Sequence, residues 1–255
     1  MATRHERPEA DKRNIRLVVE YDGTDFCGWQ RQPGCRSVQE ELETAIAAVT
    51  REKASLLSSG RTDAGVHAEG HVCNFRTSAE IPAARLAAAI NTKLAEDVIV
   101  LSAEDAPFSF HATHDAKSKL YRYRIARGRV RPVLDRRYSY HVRGPLDVDA
   151  MRRAAAHFVG THDFNSFRAE GFIEKDTVRT IHSVELAEAN ETLEIYFRGD
   201  GFLYMMLRII VGTLVRVGKG KIAPEAIPGI IAARDRAAAG PTVPPRGLCL
   251  VAVYY

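Results

Sequence analysis

The chain has 255 residues, of which 45% are hydrophobic and 27% are charged, and its 36 basic and 32 acidic residues give a formal charge of +4. This is the composition of a globular protein, which excludes a disordered or collagen-like chain. No apolar run approaches the roughly eighteen residues that a membrane span needs, and residues 1–13 lack the apolar core of a secretory signal. We therefore expect a cytoplasmic protein with reduced cysteines, no membrane association and a solvated tail at residues 1–13.

The first half of the chain predicts the element order β-α-β-β-α-β. Ser37 begins a capping-box pattern ahead of apolar residues at helical spacing, and Gly60 to Gly65 form a polar loop, GRTDAG, between two strand-like segments. The predicted elements are strand 15–21, helix 38–49, strands 56–59 and 66–75, helix 82–95 and strand 98–101.

The second half repeats this order. Its predicted elements are strand 120–126 with further β-like sequence at 138–142, helix 147–158, a hairpin of strands 181–186 and 193–197, helices 202–217 and 224–234, and strand 248–255. Two such units predict an α+β protein made of two ferredoxin-like halves, with antiparallel sheets joined side by side and helices on one face. We place the halves at residues 14–110 and 111–255.

The positive charge is concentrated in one window. Residues 111–143 contain ten basic and two acidic residues, so this window carries +8 and the rest of the chain sums to −4. Within LYRYRIARGRVRP, arginines alternate with other residues, which predicts a row of guanidinium groups along one strand face. Interleaved basic and aromatic residues favour contact with a polyanion over a merely solvated edge strand.

Asp63, in the loop GRTDAG, is the first candidate for chemistry. Two glycines permit a sharp turn there, and small neighbours leave the carboxylate open. The ordinary alternative is an Asp that accepts backbone hydrogen bonds in a turn.

Arg208 lies in FLYMMLRIIVGTLV, the most apolar segment of the chain, with no acidic residue close by in the helix. An ionised group in such surroundings needs a partner, so a carboxylate from elsewhere in the chain is expected unless the side chain reaches solvent.

His67, His71 and Cys73 fall on one face of a predicted strand and form at most a weak metal site. The segment HAEGH lacks the Glu that follows the first His in a zinc helix, so structural roles are favoured and no metal is expected.

The segments YDGTDFCGWQRQ (21–32), SSGRTDAGVHA (58–68), GTHDFNSFR (160–168), GFLYMMLRIIVGTLVRVG (201–218) and GLCLVAVYY (247–255) closely resemble the tRNA pseudouridine synthase A family. The resemblance runs from about residue 15 to residue 255, and the GRTDAGVHA block is highly specific. It implies the duplicated fold and an isomerase that converts uridine to pseudouridine at positions 38 to 40 in the anticodon arm of tRNA. It also implies base flipping, a homodimer, and neither metal nor organic cofactor.

Site residues follow from the resemblance position by position. The essential aspartate matches Asp63, the arginine that helps displace the target base matches Arg61, the aromatic residue that packs on the uracil matches Tyr121, and the basic partner of the aspartate matches Arg208. Arg127, Arg129 and Arg131 of the basic window are expected to contact the tRNA backbone.

Two departures and one alternative accompany this interpretation. Thr113 stands where many relatives have Arg, which puts one RNA contact in doubt, and Cys249 replaces a usual aromatic residue. A non-catalytic RNA-binding protein built from two RRM-like halves would account for the fold and the charge. It would leave GRTDAG and Arg208 unexplained, and its aromatic strand signature is absent.

Overall fold

The computed structural model describes residues 12–169 and 176–255, which form two compact units. The first unit comprises residues 12–116 with Tyr255, and the second comprises residues 117–254. Residues 1–11 of the expected tail lie outside the described residues, and Arg13 already belongs to the first strand.

The first unit has the predicted element order. Its helices and strands are β1 (Arg13–Tyr21), α1 (Val38–Thr50), β2 (Leu57–Ser58), β3 (His67–Thr77), α2 (Ala83–Asn91) and β4 (Val98–Ala106). The predicted N-cap is confirmed, because the Ser37 side chain accepts a hydrogen bond from the Glu40 N–H.

The sheet of the first unit is antiparallel and runs in the order β4-β1-β3-β2. Along β1, Ile15, Leu17 and Val19 are fully buried, whereas Arg16 is half-buried and Glu20 is exposed. This alternation gives the strand one face toward the core and one toward solvent. The helix α2 packs on β4, and α1 packs on α2.

The second unit repeats the topology with additions. Its elements are β5 (Ser118–Ala126), β6 (Tyr140–His141), α3 (Val148–Ala156), β7 (Gly160–Asp163), β8 (Val178–Ala189), β9 (Thr192–Gly199), α4 (Met206–Gly218), α5 (Ile227–Ala233) and β10 (Leu248–Tyr254). The order β10-β5-β9-β8 corresponds strand by strand to that of the first unit, and β7 adds an edge next to β8. The predicted α+β fold with two ferredoxin-like halves is therefore confirmed.

The sequence-based boundaries differ most at α4, which begins four residues later than residue 202. Met205 adopts a left-handed conformation with φ of 57°, so the preceding residues form a turn instead of helix. The strand β7 was not predicted, because its short sequence GTHD carries little β-strand signal. The hairpin of β8 and β9 is confirmed with longer strands.

The helix α4 is fixed in place by close backbone packing. A Cβ at Gly212 would lie 1.8 Å from the Pro241 carbonyl oxygen, so only glycine fits there. The Gly240 N–H donates to Thr213 Oγ1 at 2.8 Å, which ties the same segment to the next residue of the helix. These contacts fix the helix that carries Arg208.

Of the helices in residues 12–169 and 176–255, none has the length and apolar character needed to cross a bilayer.

Candidate active site

Asp63 lies in a tight loop between β2 and β3. The Ser59 N–H donates to the Val72 carbonyl oxygen at 2.8 Å, and the Val66 N–H donates to the Asp63 carbonyl oxygen at 3.1 Å, so the loop closes on itself. Gly65 has a φ of +76°, which favours glycine at this turn. Asp63 is half-buried in this loop, so its side chain keeps access to solvent.

Arg61 and Thr62 show how the loop alternates between exposed and buried side chains. Arg61 is exposed, whereas Thr62 is 6% exposed and points into the unit. The loop is therefore anchored through Thr62 and presents its two neighbours, Arg61 and Asp63, away from that anchor.

The segment that follows β1 holds this loop through two backbone hydrogen bonds. The Trp29 N–H donates to the Thr62 carbonyl oxygen at 3.1 Å, and the Gly65 N–H donates to the Phe26 carbonyl oxygen at 3.3 Å. Gly28 has a φ of +96°, and a Cβ there would lie 2.6 Å from the Thr62 carbonyl oxygen. Glycine at position 28 thus allows two backbone segments to approach each other directly.

A buried aromatic and imidazole cluster completes the support. The Trp29 ring stacks on His71 with 3.8 Å between ring centroids and 7° between ring planes. The Tyr21 hydroxyl lies 2.8 Å from Thr62 Oγ1 and 3.1 Å from His71 Nδ1, and Ser58 Oγ lies 2.9 Å from His71 Nε2. His71 therefore holds the loop in position with both ring nitrogens.

The metal-site alternative finds no support in this geometry. His67 Nδ1 accepts a hydrogen bond from the Gly23 N–H at 3.1 Å, and complete burial raises the pKa of the Cys73 thiol, which disfavours the thiolate that binds metals. Among the described residues, no three His, Cys, Asp or Glu side chains are arranged to hold a metal ion.

Tyr121, in the second unit, lies on β5 and is 8% exposed. The Phe202 ring meets it edge-on, with 5.4 Å between centroids and 87° between planes. Phe202 reaches this position because the chain turns at Met205 before α4 begins. The departure from the predicted helix therefore supplies the ring that fixes the orientation of Tyr121.

Arg208, also in the second unit, is half-buried in the first turn of α4. Its Nε donates to the Val243 carbonyl oxygen at 2.9 Å, and the Val243 N–H donates back to the Arg208 carbonyl oxygen at 3.3 Å. The backbone of Val243 thus holds the guanidinium group at its Nε atom. The charge of Arg208 also affects Tyr123: burial raises the pKa of Tyr123 well above its usual range, and the positive charge of Arg208 acts against that rise.

The basic window is less regular than its sequence suggests. Arg122 and Arg124 share a face of β5, and both approach Glu194, at 3.6 Å and 2.8 Å. The strand ends at Ala126, so the expected row of arginines along one strand stops there. Beyond the strand, a Cβ at Gly128 would lie 2.2 Å from a carboxylate oxygen of Glu191.

The three arginines expected to contact tRNA differ in their surroundings. Arg129 and Arg131 are exposed in the loop after β5. Arg127 forms an ion pair with Glu188 at 2.6 Å and keeps only 19% of its side chain exposed. That ion pair is also the main reason why the pKa of Glu188 is lowered.

The two departures from the family pattern have visible local roles. The Thr113 hydroxyl donates to the Ser58 carbonyl oxygen, next to the loop that carries Asp63. Cys249 is 7% exposed within β10 and contributes to the core of the second unit.

No sequence pattern pointed to Tyr21, Trp29 or Phe202 as supports of the candidate site. The single Trp of the chain, between a Gly and a Gln near the start, was the available signal for a packing centre. His71 was considered only as a weak metal ligand or a structural residue, and its stacking on Trp29 could not be read from one strand alone.

Comparison with known proteins identifies the family. A model described as tRNA pseudouridine synthase matches residues 17–115 and 154–255. The chain is 48% identical to tRNA pseudouridine synthase A of Geotalea uraniireducens and 45% identical to tRNA pseudouridine synthase A 2 of Clostridium perfringens, in each case over 95% of this chain and 100% of the relative. The chain belongs to the tRNA pseudouridine synthase family, whose members are isomerases.

A distant likeness to a solved structure adds nothing to this assignment. The structure of an H/ACA RNP bound to a substrate RNA containing 2′-deoxyuridine aligns with a TM-score of 0.38 and 12% identity, over 79% of this chain and 44% of the other.

The close approach of Gly28 to the loop generates a prediction. Gly28→Ala places a methyl group against the Thr62 carbonyl and a side chain at positive φ, so it must displace the loop that carries Asp63. Because a misplacement of about 1 Å can cost roughly a hundredfold in rate, we expect kcat for pseudouridine formation to fall by about that factor.

Gly34→Ala is the matched control. Gly34 also has positive φ, 77°, but a Cβ there meets nothing within 4 Å. We expect Gly34→Ala to lower the free energy of unfolding by about 1 kcal/mol and to leave kcat unchanged. Equal kcat values for the two variants would contradict the role given to Gly28.

Proposed function

We propose that this enzyme isomerises uridine to pseudouridine at positions 38 to 40 in the anticodon stem-loop of tRNA, with the Asp63 carboxylate as its catalytic group. The observation that carries the proposal is the half-buried carboxylate on a loop that Gly28, Trp29 and Thr62 hold by backbone contacts. A protein that only bound RNA would have no need to fix one loop in this way.

The reaction rearranges bonds within one nucleotide. The N1–C1′ bond breaks, the base turns, and C5 forms the new bond to C1′; the proton that leaves C5 is balanced by one that N1 gains. No electrons are exchanged with another molecule, so side chains of the protein are sufficient in principle. A carboxylate can attack C1′ or C6 of the base, or stabilise positive charge that develops at C1′.

The target base is stacked within the RNA and must leave the stack to reach a carboxylate in a loop. Arg61 is exposed beside Asp63, and we propose that its guanidinium occupies the space that the base vacates. We propose further that the uracil packs on Tyr121, whose ring is held by its edge-to-face contact with Phe202. A ring in a fixed orientation positions the base at a low entropic cost.

We also propose that the Arg208 guanidinium pairs with the Asp63 carboxylate. The Val243 carbonyl oxygen accepts a hydrogen bond from Arg208 Nε, which constrains the orientation of the guanidinium plane. A guanidinium next to the carboxylate would keep Asp63 ionised and ready to act on the substrate.

We propose that several exposed basic side chains together bind the rest of the tRNA. Arg129 and Arg131 are exposed in an irregular loop rich in arginine, which suits phosphate contacts that do not read sequence. On the basis of the family resemblance, we also propose that the protein acts as a cytoplasmic homodimer that needs no cofactor.

Asp63→Asn tests the catalytic assignment. The amide keeps the size of the carboxylate but loses its charge and nucleophilicity, so we expect pseudouridine formation to fall below detection. Affinity for tRNA should stay within a few-fold, since phosphate contacts elsewhere supply most of it. The measurement is pseudouridine mapping at positions 38 to 40 together with filter binding. Turnover close to wild type would exclude Asp63 as the catalytic group.

The Asp63–Arg208 pairing is tested by a double-mutant cycle of Asp63→Asn and Arg208→Met in chemical unfolding. Residues in direct contact typically show interaction energies of about 0.5–3 kcal/mol, so the double variant should be less destabilised than the sum of the two single variants. Purely additive changes in the free energy of unfolding would show that Arg208 serves another partner.

The role of the exposed arginines predicts a change in salt dependence. Replacing Arg129 and Arg131 together by Gln should reduce the slope of log affinity against log salt by about 1.5, since each phosphate contact contributes roughly 0.7–0.9. The matched control replaces Arg85 and Lys93, two exposed cations at the α2 end of the first unit, and should leave the slope unchanged. The same reduction in both double variants would argue against a specific role for the loop after β5.

A further inference from the structure

Two cysteines, Cys27 and Cys35, lie on the two arms of a turn in the segment that follows β1. The chain reverses at Pro33 and Gly34, a dipeptide typical of turns, and Gly34 has a φ of +77°. Gln32 and Cys35 pair across this turn in an antiparallel bridge. The two arms therefore run in opposite directions, and each carries one half-buried cysteine with a free thiol.

Contacts further along the arms bring the two cysteines next to each other. The Cys27 N–H donates to the Arg36 carbonyl oxygen at 2.9 Å, and the Arg36 guanidinium lies 4.1 Å from the centroid of the Phe26 ring. Because Phe26 faces Arg36 across the antiparallel arms, the next residues toward the turn, Cys27 and Cys35, are neighbours. Gln32 touches both of them, since its backbone pairs with Cys35 and its Nε2 donates to the Cys27 carbonyl oxygen at 3.3 Å.

The two thiols also interact with each other. The pKa of the Cys35 thiol is raised, mainly by a hydrogen bond with the Cys27 thiol. This interaction agrees with the backbone contacts, which place the two residues side by side. The other two cysteines differ, because Cys73 in β3 is fully buried and Cys249 in β10 is 7% exposed, so their thiols are shielded from an oxidant in solution.

We propose that Cys27 and Cys35 form a site of reversible oxidation, at which a peroxide converts the two thiols to a disulfide and thereby slows the enzyme. The effect on rate rests on the proposed function, in which the loop after β2 carries the catalytic Asp63. Disulfides in cytosolic proteins are mostly transient and catalytic or redox-sensing, which fits a pair that is reduced in the resting enzyme.

The oxidation consumes one hydrogen peroxide for two thiols. One cysteine, as its thiolate, attacks a peroxide oxygen; the O–O bond breaks, a sulfenic acid forms, and the departing hydroxide takes up a proton and leaves as water. The second thiol attacks the sulfenic sulfur, so the S–S bond forms, the S–O bond breaks and a second water leaves. Two electrons pass from sulfur to the peroxide, and both thiol protons end in water. A thiol reductant reverses the reaction by exchange.

The disulfide acts on the segment that supports the Asp63 loop. A disulfide holds its sulfur atoms about 2.05 Å apart, which is closer than two thiols in contact, so its formation must draw the two arms together. Cys27 directly precedes Gly28, whose backbone approaches the Thr62 carbonyl, and Trp29, which donates to that carbonyl oxygen. A displacement of about 1 Å in an active site can cost roughly a hundredfold in rate.

The test combines peptide mapping with kinetics on the full-length enzyme. Wild type, Cys27→Ser, Cys35→Ser and Cys249→Ala are treated with hydrogen peroxide, and a portion of each is then treated with dithiothreitol. Free thiols are alkylated after denaturation, linked peptides are identified by mass spectrometry, and kcat and KM are measured on tRNA. Cys249→Ala is the matched control, because it removes a buried thiol and keeps the pair.

In the wild type and in Cys249→Ala we expect a Cys27–Cys35 crosslink within one chain and a kcat about tenfold lower or less, restored by dithiothreitol. Cys73 should remain alkylated throughout. Cys27→Ser and Cys35→Ser should form no such crosslink and should keep most of their own untreated kcat.

Three results would overturn the inference: no Cys27–Cys35 crosslink in the wild type, an unchanged kcat in the crosslinked enzyme, or an equal loss of kcat in the serine variants. An untreated wild type that forms no pseudouridine refutes the proposed function instead. Mass spectrometry detects the crosslink without turnover, so it still decides whether the thiol pair is a site of oxidation.

Discussion

The backbone contact between the loop that carries Asp63 and the segment after β1 is the constraint on which the candidate site depends. Gly28 permits it by having no side chain, and Trp29 fixes it through one hydrogen bond to Thr62. A direct contact between two backbones varies little in distance, because no flexible side chain lies between them. The loop therefore presents Asp63 from a rigid support, which is what a reaction sensitive to placement requires.

The cluster of aromatic and imidazole rings that packs against the loop makes this backbone contact energetically costly to break. Trp29 stacks on His71, and Tyr21 reaches both His71 and Thr62, so one displacement would disturb several buried partners. Buried polar groups that lose a partner typically cost about 1–3 kcal/mol each. His71, which the sequence left as a weak metal ligand or a structural residue, is thus part of the loop's support.

The second unit positions its own groups by a different device. Its helix α4 starts late, after a turn at Met205, and this turn places Phe202 against Tyr121. Glycine at position 212 then lets the helix pack directly on the backbone of Pro241, and Val243 holds Arg208. The two units share one topology, but loop anchoring dominates in the first and helix docking in the second.

The sequence by itself determined the duplicated element order, the family and the identity of the residues proposed for catalysis. These features depend on local patterns, such as the alternation in β1 and the Ser37 cap, and on the specific GRTDAGVHA block, all of which are readable in short windows. Only the tertiary structure decided that Arg127 is paired with Glu188 and that His71 stacks on Trp29. Each of these depends on residues brought together from distant parts of the chain, and no local pattern carries that information.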